Sequence, residues 1–599
     1  MTFQYSMALP ESCSADAAPK IATIKGKDAF CQQLIADGIN LVFGNPGTVE
    51  EALLETLPKY PEIRYIMGLQ EAAVTAMADA YARATQRPAF VQVHASVGLG
   101  NAMGLLYQAK QCHTPLVMYA GETYADLLDF YGFLGGNTVE LARPVTKWAD
   151  RVSHPSQLLR NLRRAIKIAM TPPQGPVFLA IPMNVLDAEI PADIHPSTLV
   201  NWQVAPDAPT IQKMADILLE AERPMLLAGD QVSLTCAQPV LHRLSHLLGA
   251  AIYGCDFANL NADFRDPLFM GLTSFIYSDQ TVTITHQSDA VLAVGGSLFR
   301  ELFPTHSPYF AQGAKLMQID LNDWELGKNF PADIAVHADP RLTLEALCAV
   351  IEQRLAQNPA LKAKAEANAT FWQYKKIAER DARSQAFSQE QASAQAGIMP
   401  PSQAMAALVE ALPQDVVIFD ESISAIYTLL HYLEPTPGQT EAGEPDYRRY
   451  FMARGGCLGV GLAGAIGLKL AMPDKPVLCI SGDGAALYTC QALWTAAHEK
   501  LPIVWVIVNN QSYQILKHNL KEYWKRVALP EQPFSFMDMR NPAIDFVSLA
   551  QGFGVKASRV TTPEELKAAL TQAFSANEPV LIDVAVSSPF DDASGTACA

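Results

Sequence analysis

Gly482-Asp483-Gly484 closes the apolar run that begins at Val477, and Asn509-Asn510 closes the next one, from Ile503 to Val508. A strand, a tight glycine turn and a helix start aim backbone N–H groups at an anion. Asp483 is placed there to bind a cation that bridges phosphates, and Asn510 offers a second, neutral oxygen. Mg2+ takes such oxygen ligands from few protein groups and lets phosphate oxygens complete its octahedron. Either motif alone reads as an ordinary turn. Together, with 24 residues between Gly484 and Asn509 for one helix and one strand, they suggest a cradle for a metal and a diphosphate. Two further residues stand out far upstream. Glu71 sits inside the apolar-rich IMGLQEAAVTAM, where a carboxyl group can share a proton with a ligand. His94 ends the strand-like AFVQVHA and precedes the small-residue loop ASVGLG, the kind of strand end where α/β proteins build sites. His113, before a Pro-led strand, reads as structural.

These residues need elements to hold them. Short β-rich runs alternate with helical patterns along all 599 residues, which predicts an α/β chain with mainly parallel sheets and several domains. Strands are expected at Leu41–Phe43, Ala89–His94, Leu116–Ala120 and Val177–Ile181, with a helix over Glu71–Ala84. A Pro-rich linker is expected at Pro182–Pro209. A second unit has strands near Met225–Leu227, Ala290–Val294 and Leu316–Ile319, and a helical linker follows over residues 356–400. The last unit has strands at Val416–Phe419, Val477–Ile480, Ile503–Val508 and Val580–Val584. The residues after Gly484, AALYTCQALWTAAHEK, predict one amphipathic helix. The first and third units match in size and order without a residue-level repeat. The closing SSPFDDASGTACA predicts a flexible acidic tail.

The ordered set resembles the thiamine-diphosphate (ThDP) decarboxylase and carboligase superfamily, in particular its benzoylformate decarboxylase branch. GDG and NN at this spacing resemble its metal signature. GNPGT (Gly44–Thr48), LQEAAV, QVHASVGLGNAMG and GPVFLAIP look like its pyrimidine-binding domain. LGVGLAGAIG, NNQSY and PVLIDVAVSSP look like its diphosphate-binding domain. The similarity runs over residues 21–590. It implies three doubly wound parallel-sheet domains: pyrimidine-binding (21–190), middle (200–355) and, after a helical linker (356–400), diphosphate-binding (401–590). It implies ThDP with Mg2+ held by Asp483, Asn510 and Ser512. Gly482, Gly484, Ala485, Ser424 and Tyr513 would surround the cofactor, and Leu458 would bend it. Glu71 would act on its aminopyrimidine ring, and His94 on protons of the substrate carboxylate and later species. Thr48, Leu302, Ile515, Leu516 and Asn519 would line the substrate pocket. The family places its cofactor between domains of two chains, so a homodimer or homotetramer is implied.

Four departures from the family pattern matter. Ile423 stands where a hydroxyl residue is expected, and Ala485 where a Ser is, so diphosphate binding would lean on backbone N–H groups and the metal. The position of a second active-site His falls on Leu302, with His306 four residues late. Ile515 is bulkier and Asn519 more polar than an aromatic-acid pocket requires. The expected reaction is therefore non-oxidative decarboxylation of a 2-oxo acid to an aldehyde, with carboligase side activity. The alternative is a dedicated carboligase or lyase of acetolactate-synthase or aldehyde-lyase type, which needs less protonation and so fits the missing His. A different class, an NAD-linked oxidoreductase, is suggested by Gly459, Gly461 and Gly464 in GxGxxG spacing, with Asp483 nineteen residues on. No clear strand precedes those glycines, and they also suit close helix packing.

Composition narrows the class further. The net charge of -17 argues against nucleic acid. No apolar run approaches the roughly 20 residues of a membrane span, and the first twenty residues do not read as a signal peptide. Ten dispersed cysteines without a CxxC pair fit a reduced, cytoplasmic setting.

Overall fold

The computed structural model describes residues 22–255, 257–392 and 398–590. The first twenty residues, and most of the expected acidic tail, lie outside them. Three six-stranded, all-parallel sheets organise the chain. Their inner strands are apolar runs buried on both faces, as parallel strands flanked by helices must be, while edge strands such as Arg64–Met67 and Lys556–Val560 are partly exposed.

The first sheet contains β1 (Leu41–Gly44), β2 (Arg64–Met67), β3 (Ala89–Val93), β4 (Leu116–Glu122), β5 (Trp148–Arg151) and β6 (Val177–Pro182), in the order β2-β1-β3-β4-β6-β5. The middle sheet contains β7 (Pro224–Ala228), β8 (Ala251–Gly254), β9 (Phe269–Leu272), β10 (Ala290–Val294), β11 (Lys315–Asp320) and β12 (Ile334–His337), in the order β9-β8-β7-β10-β11-β12. The last contains β13 (Val417–Glu421), β14 (Tyr450–Met452), β15 (Val477–Gly482), β16 (Ile503–Asn509), β17 (Lys556–Val560) and β18 (Val580–Ala585), in the order β14-β13-β15-β16-β18-β17. The first and last sheets therefore share one topology, although no repeat is visible in their residues.

Helix α1 (Glu71–Thr85) joins β2 to β3, and α2 (Ala95–Gln111) joins β3 to β4. The 34-residue α3 (Pro359–Ala392) lies between the middle and last units and buries only Ala365 and Trp372. Helix α4 (Val460–Ala471) joins β14 to β15, the place α1 holds in the first unit. These two helices pack on each other antiparallel. A Cβ on Gly464 would stand 3.4 Å from Ala80 Cβ, and one on Gly467 would stand 2.0 Å from the Met77 carbonyl oxygen. Of the GxGxxG glycines, Gly464 serves this helix contact, Gly461 packs on Glu421 and Gly459 on Tyr488, and a short strand, β14, does precede them.

Two expectations need correction. The stretch after Gly484 is two short helices, α5 (Asp483–Ala486) and α6 (Ala492–His498). Between them buried Thr489 turns its hydroxyl out of any helical path to donate to the Gly459 carbonyl at 2.6 Å, so local side-chain bonding interrupts the helix. The Pro-rich segment after Pro182 also has structure of its own. It forms a short helix (Met183–Asp187) and a strand (Glu189–Pro191) pairing antiparallel with Thr23–Lys25. Helix α7 (Gln514–Arg526) follows β16.

A buried cation ties the units together. Arg83 on α1 reaches Asp79 at 3.5 Å, the Ala258 carbonyl and Asn259 Oδ1 of the middle unit at 3.1 Å, and lies over Phe419 and Phe451 of the last.

Candidate active site

Most of the predicted residues collect at strand ends of the first and last sheets, in two groups; Leu302 lies in the middle unit. In the first, Glu71 opens α1, whose N-terminus is capped by the Gln70 side chain accepting from Ala73 N–H. Its side chain is buried, and Oε2 accepts from Asn101 Nδ2 at 3.1 Å. A Cβ on Gly98 would lie 2.8 Å from Glu71 Oε1, so the glycine in ASVGLG lets α2 press against the carboxylate.

His94 sits between β3 and α2. Its Nδ1 is 2.9 Å from Glu50 Oε2. Glu50 is fully buried and also accepts from Gly121 N–H at 2.7 Å and Ala95 N–H at 3.3 Å. Burial pushes the Glu50 carboxyl above its usual range, while His94 and the backbone donors pull it back. Glu50 accepting at Oε2 puts the ring proton on Nδ1 and leaves Nε2 unprotonated. A Cβ on Gly47 would fall 1.9 Å from His94 Nδ1, which explains that glycine in GNPGT; Thr48 beside it is exposed. His113 is separate: its Nδ1 meets the Gln174 carbonyl at 3.2 Å, and burial pushes its imidazole down to about 3.

In the second group, Asp483 is 5% exposed. Its Oδ1 accepts from Gly484 N–H at 2.7 Å and Oδ2 from Gln511 N–H at 2.6 Å. Burial pushes it up to about 6, and the groups opposing that are backbone N–H donors, with no cationic side chain among them. Asn510 Oδ1 accepts from Ser512 N–H at 2.9 Å, and its Nδ2 donates to Gln514. The Ser512 hydroxyl donates to the Met537 carbonyl at 3.1 Å. Asn509, the other half of NN, donates to Asp583 at 2.8 Å and so braces β18. The Tyr513 ring packs on Gly484, where a Cβ would be 2.5 Å from Cε1. Ala485 is buried, and Ser424 and Leu458 are half-buried.

Glu421 underlies this group. It ends β13 fully enclosed and accepts from Val460 N–H and Gly461 N–H at 3.0 Å each, and from the Ser481 hydroxyl at 3.3 Å. It thereby ties the start of α4, next to Leu458, to the strand that carries Gly482-Asp483-Gly484. Burial pushes its carboxyl up to about 7.

Three non-glycine residues with left-handed backbones sit in these strand-end loops: Ala95 at φ 47°, Ile423 at 50° and Gln511 at 56°. For the β-branched Ile423 this conformation is a genuine outlier, and such strain concentrates at functional sites.

Of the residues predicted to line the substrate pocket, Ile515 is half-buried and Leu516 exposed on the first turn of α7. Asn519, one turn on, accepts from Tyr277 Oη at 2.8 Å. Leu302 is 66% exposed. Glu50, Glu421 and Tyr277 were not singled out by the sequence; each is an unremarked polar residue whose partners are brought to it only by the fold.

The residues fit a magnesium diphosphate. A buried carboxylate with no cationic partner is costly to keep ionised unless a cation joins it. A Cβ on Gly482 would meet nothing within 4 Å, so there is open space beside that carboxylate. Among the described residues no cluster of three His, Cys, Asp or Glu side chains could hold a metal. One acid with neutral oxygens instead suits Mg2+, which takes its remaining ligands from phosphate and water.

Comparison with known proteins supports the diphosphate half of this reading. Family models match in order: "Thiamine pyrophosphate enzyme, N-terminal TPP binding domain" over residues 24–140, its central domain over 211–347, and its C-terminal TPP binding domain over 441–584. The benzoylformate decarboxylase of Pseudomonas aeruginosa is 31% identical, with 91% of this chain and 96% of that protein aligned. The acetolactate synthase large subunit of Haemophilus influenzae is 25% identical, with 94% of each chain aligned. The structure of a thiamine diphosphate-dependent 4-hydroxybenzoylformate decarboxylase from Rhodococcus jostii RHA1 superposes with a TM-score of 0.79 at 27% identity, covering 94% of this chain and 99% of that one. With all three domain models in sequence and near full-length relatives, the chain belongs to the thiamine pyrophosphate enzymes.

Proposed function

We propose that the protein catalyses ThDP- and Mg2+-dependent, non-oxidative decarboxylation of a 2-oxo acid to an aldehyde, with carboligase side activity. The observation that carries the metal half is Asp483: a buried carboxylate held by backbone donors, with open space beside it. Asp483, Asn510 and Ser512 would hold the magnesium, and the turn from Gly482 to Ala485, with Ser424 and Tyr513, the diphosphate. Leu458 would support the ring system. The unit over 21–190 would bind the pyrimidine, and the unit over 401–590 the diphosphate. When bound, ThDP supplies a carbon nucleophile that also serves as electron sink. Glu71, fixed by Asn101 and Gly98, holds or passes a proton at the aminopyrimidine ring. His94, oriented by Glu50, offers Nε2 to the substrate carboxylate and to the proton that replaces it. Thr48, Ile515, Leu516 and Asn519 shape the space for the substrate, with Leu302 at its edge.

Glu71 and the start of α4 belong to opposite ends of an antiparallel helix pair, which supports a site completed by a second copy, in a homodimer or homotetramer. Eight free cysteines among the described residues support a reducing compartment such as the cytoplasm. No helix among the described residues is long and apolar enough to cross a membrane.

A second reading, a dedicated carboligase, is favoured by one observation. Leu302 stands where an ionisable residue would assist protonation. Carbon dioxide release across a panel of 2-oxo acids, run beside aldehyde coupling with ThDP and Mg2+ present, decides between them. Coupling without release from any 2-oxo acid would replace the first reading with the second.

A further inference from the structure

Helix α7 begins at the metal-binding turn and runs 13 residues outward, or about 20 Å at 1.5 Å per residue. Ile515, Asn519, Glu522 and Arg526 recur at helical spacing along one face. Opposite that face, residues 277–306 of the middle unit leave a cavity of about 520 Å³, lined by Tyr277, Phe303, His306, Asn519 and Arg526 among others. Tyr277 and Phe303 stack at 5.4 Å between ring centroids, and the Arg526 guanidinium covers Phe303 at 4.6 Å. The Tyr277 hydroxyl donates to Asn519 Oδ1 at 2.8 Å, which leaves Asn519 Nδ2 free to donate. Whichever way the amide is turned, the pair retains one donor and one acceptor for a ligand. Two carboxylates, Asp279 and Glu522, line the cavity with two cations, Lys525 and Arg526. That balance favours a neutral polar group over a second carboxylate.

We propose that Asn519 and Tyr277 form a specificity subsite for a distal hydroxyl group, so that the substrate is a 2-oxo acid carrying a hydroxyl at the end remote from its keto carbon. The subsite rests on the placement of the reaction centre at the start of α7. A half-buried pair that hydrogen-bonds a substrate hydroxyl disfavours the analogue without it, because its own polar groups then lose that partner.

The test uses the full chain loaded with ThDP and Mg2+. Two matched pairs are compared for carbon dioxide release: 4-hydroxybenzoylformate with benzoylformate, and 5-hydroxy-2-oxopentanoate with 2-oxopentanoate. The corresponding 2-hydroxy acids, which cannot lose carbon dioxide by this route, are titrated for binding. In at least one pair kcat/KM and binding should favour the hydroxylated member by about tenfold or more. That ratio should collapse toward unity in Asn519→Leu and in the near-isosteric Tyr277→Phe. Equal handling of both members in both pairs, or a preference that survives both variants, overturns the subsite. Failure of every 2-oxo acid to release carbon dioxide, with discrimination intact among the 2-hydroxy acids and lost in the variants, refutes the decarboxylase reading and leaves the subsite standing.

Discussion

Single residues divide into those that would meet the reacting atoms and those that hold them. Glu71→Gln keeps the size and the contact with Asn101 but removes the transferable proton. It should lower kcat by about 10²–10⁴-fold while ThDP affinity, titrated by fluorescence quenching, changes little. Full activity in this variant would remove Glu71 from the mechanism. Glu50→Gln acts at one remove. It can turn an N–H donor toward His94 Nδ1, disfavouring the tautomer with a free Nε2. A fall in kcat of about 10–100-fold, with a shifted pH profile and unchanged ThDP affinity, is expected. An unchanged pH profile would make Glu50 merely structural. Glu71 and His94 were legible in the sequence because each lies beside a motif of recognisable spacing. Glu50 was not. It follows Thr48 by two residues, and its partners, Gly121 and His94, are 71 and 44 residues away, so only the folded sheet brings them together.

Elements were read best where periodicity decides and worst where a single side chain interrupts it. The buried strands showed as apolar runs, and the long helix in the 356–400 linker as charged Ala-rich sequence. The break between α5 and α6 depends on Thr489 finding the Gly459 carbonyl, a partner 30 residues back. The contact between α1 and α4 gives a sharp test. In Gly467→Ala the new methyl meets backbone, the Met77 carbonyl oxygen, which cannot move aside, so the helices must part. A loss of about 1–3 kcal/mol or more is expected, seen as lower soluble yield and apparent Tm. Gly552→Ala, with nothing within 4 Å of the added carbon, should be close to neutral. Glu421, which fastens α4 to β15, has a carboxyl raised from 4.5 to about 7. The folded state then binds more protons than the unfolded one between those values. Its contribution to stability is present in full below about pH 4.5 and is lost as pH rises to about 7. The Tm of the cofactor-free protein, relative to Glu421→Gln, should therefore fall across that window and level off above it. A flat difference would show that Glu421 does not titrate there.

At the scale of the whole molecule, one topology occurs twice, and the two copies place different side chains at equivalent points. The loops after β1 and β3 carry Thr48 and His94. Ser424 follows the corresponding β13, and Gly482-Asp483-Gly484 spans the junction of β15 and α5. Glu71 opens α1, and Leu458 precedes the corresponding α4. Within one chain Glu71 is held by Asn101 and Gly98, and Asp483 by Gly484 and Gln511, in separate groups. Neither Glu71 nor Asp483 has a hydrogen bond to the other's group. A second copy related by a two-fold axis would set the first unit of one chain against the last unit of the other, and would do so twice. Two inactive variants then make a direct test, Glu71→Gln and Asp483→Ala, co-expressed with different affinity tags. If each site takes Glu71 from one chain and Asp483 from the other, a mixed dimer has one site with both defects and one with none. Random pairing makes half the dimers mixed, so the pool should recover about a quarter of wild-type activity, and the doubly tagged fraction about half. Each variant purified alone should stay inactive. No recovery in a doubly tagged fraction that is folded and binds ThDP would mean that Glu71 and Asp483 serve the same site from one chain.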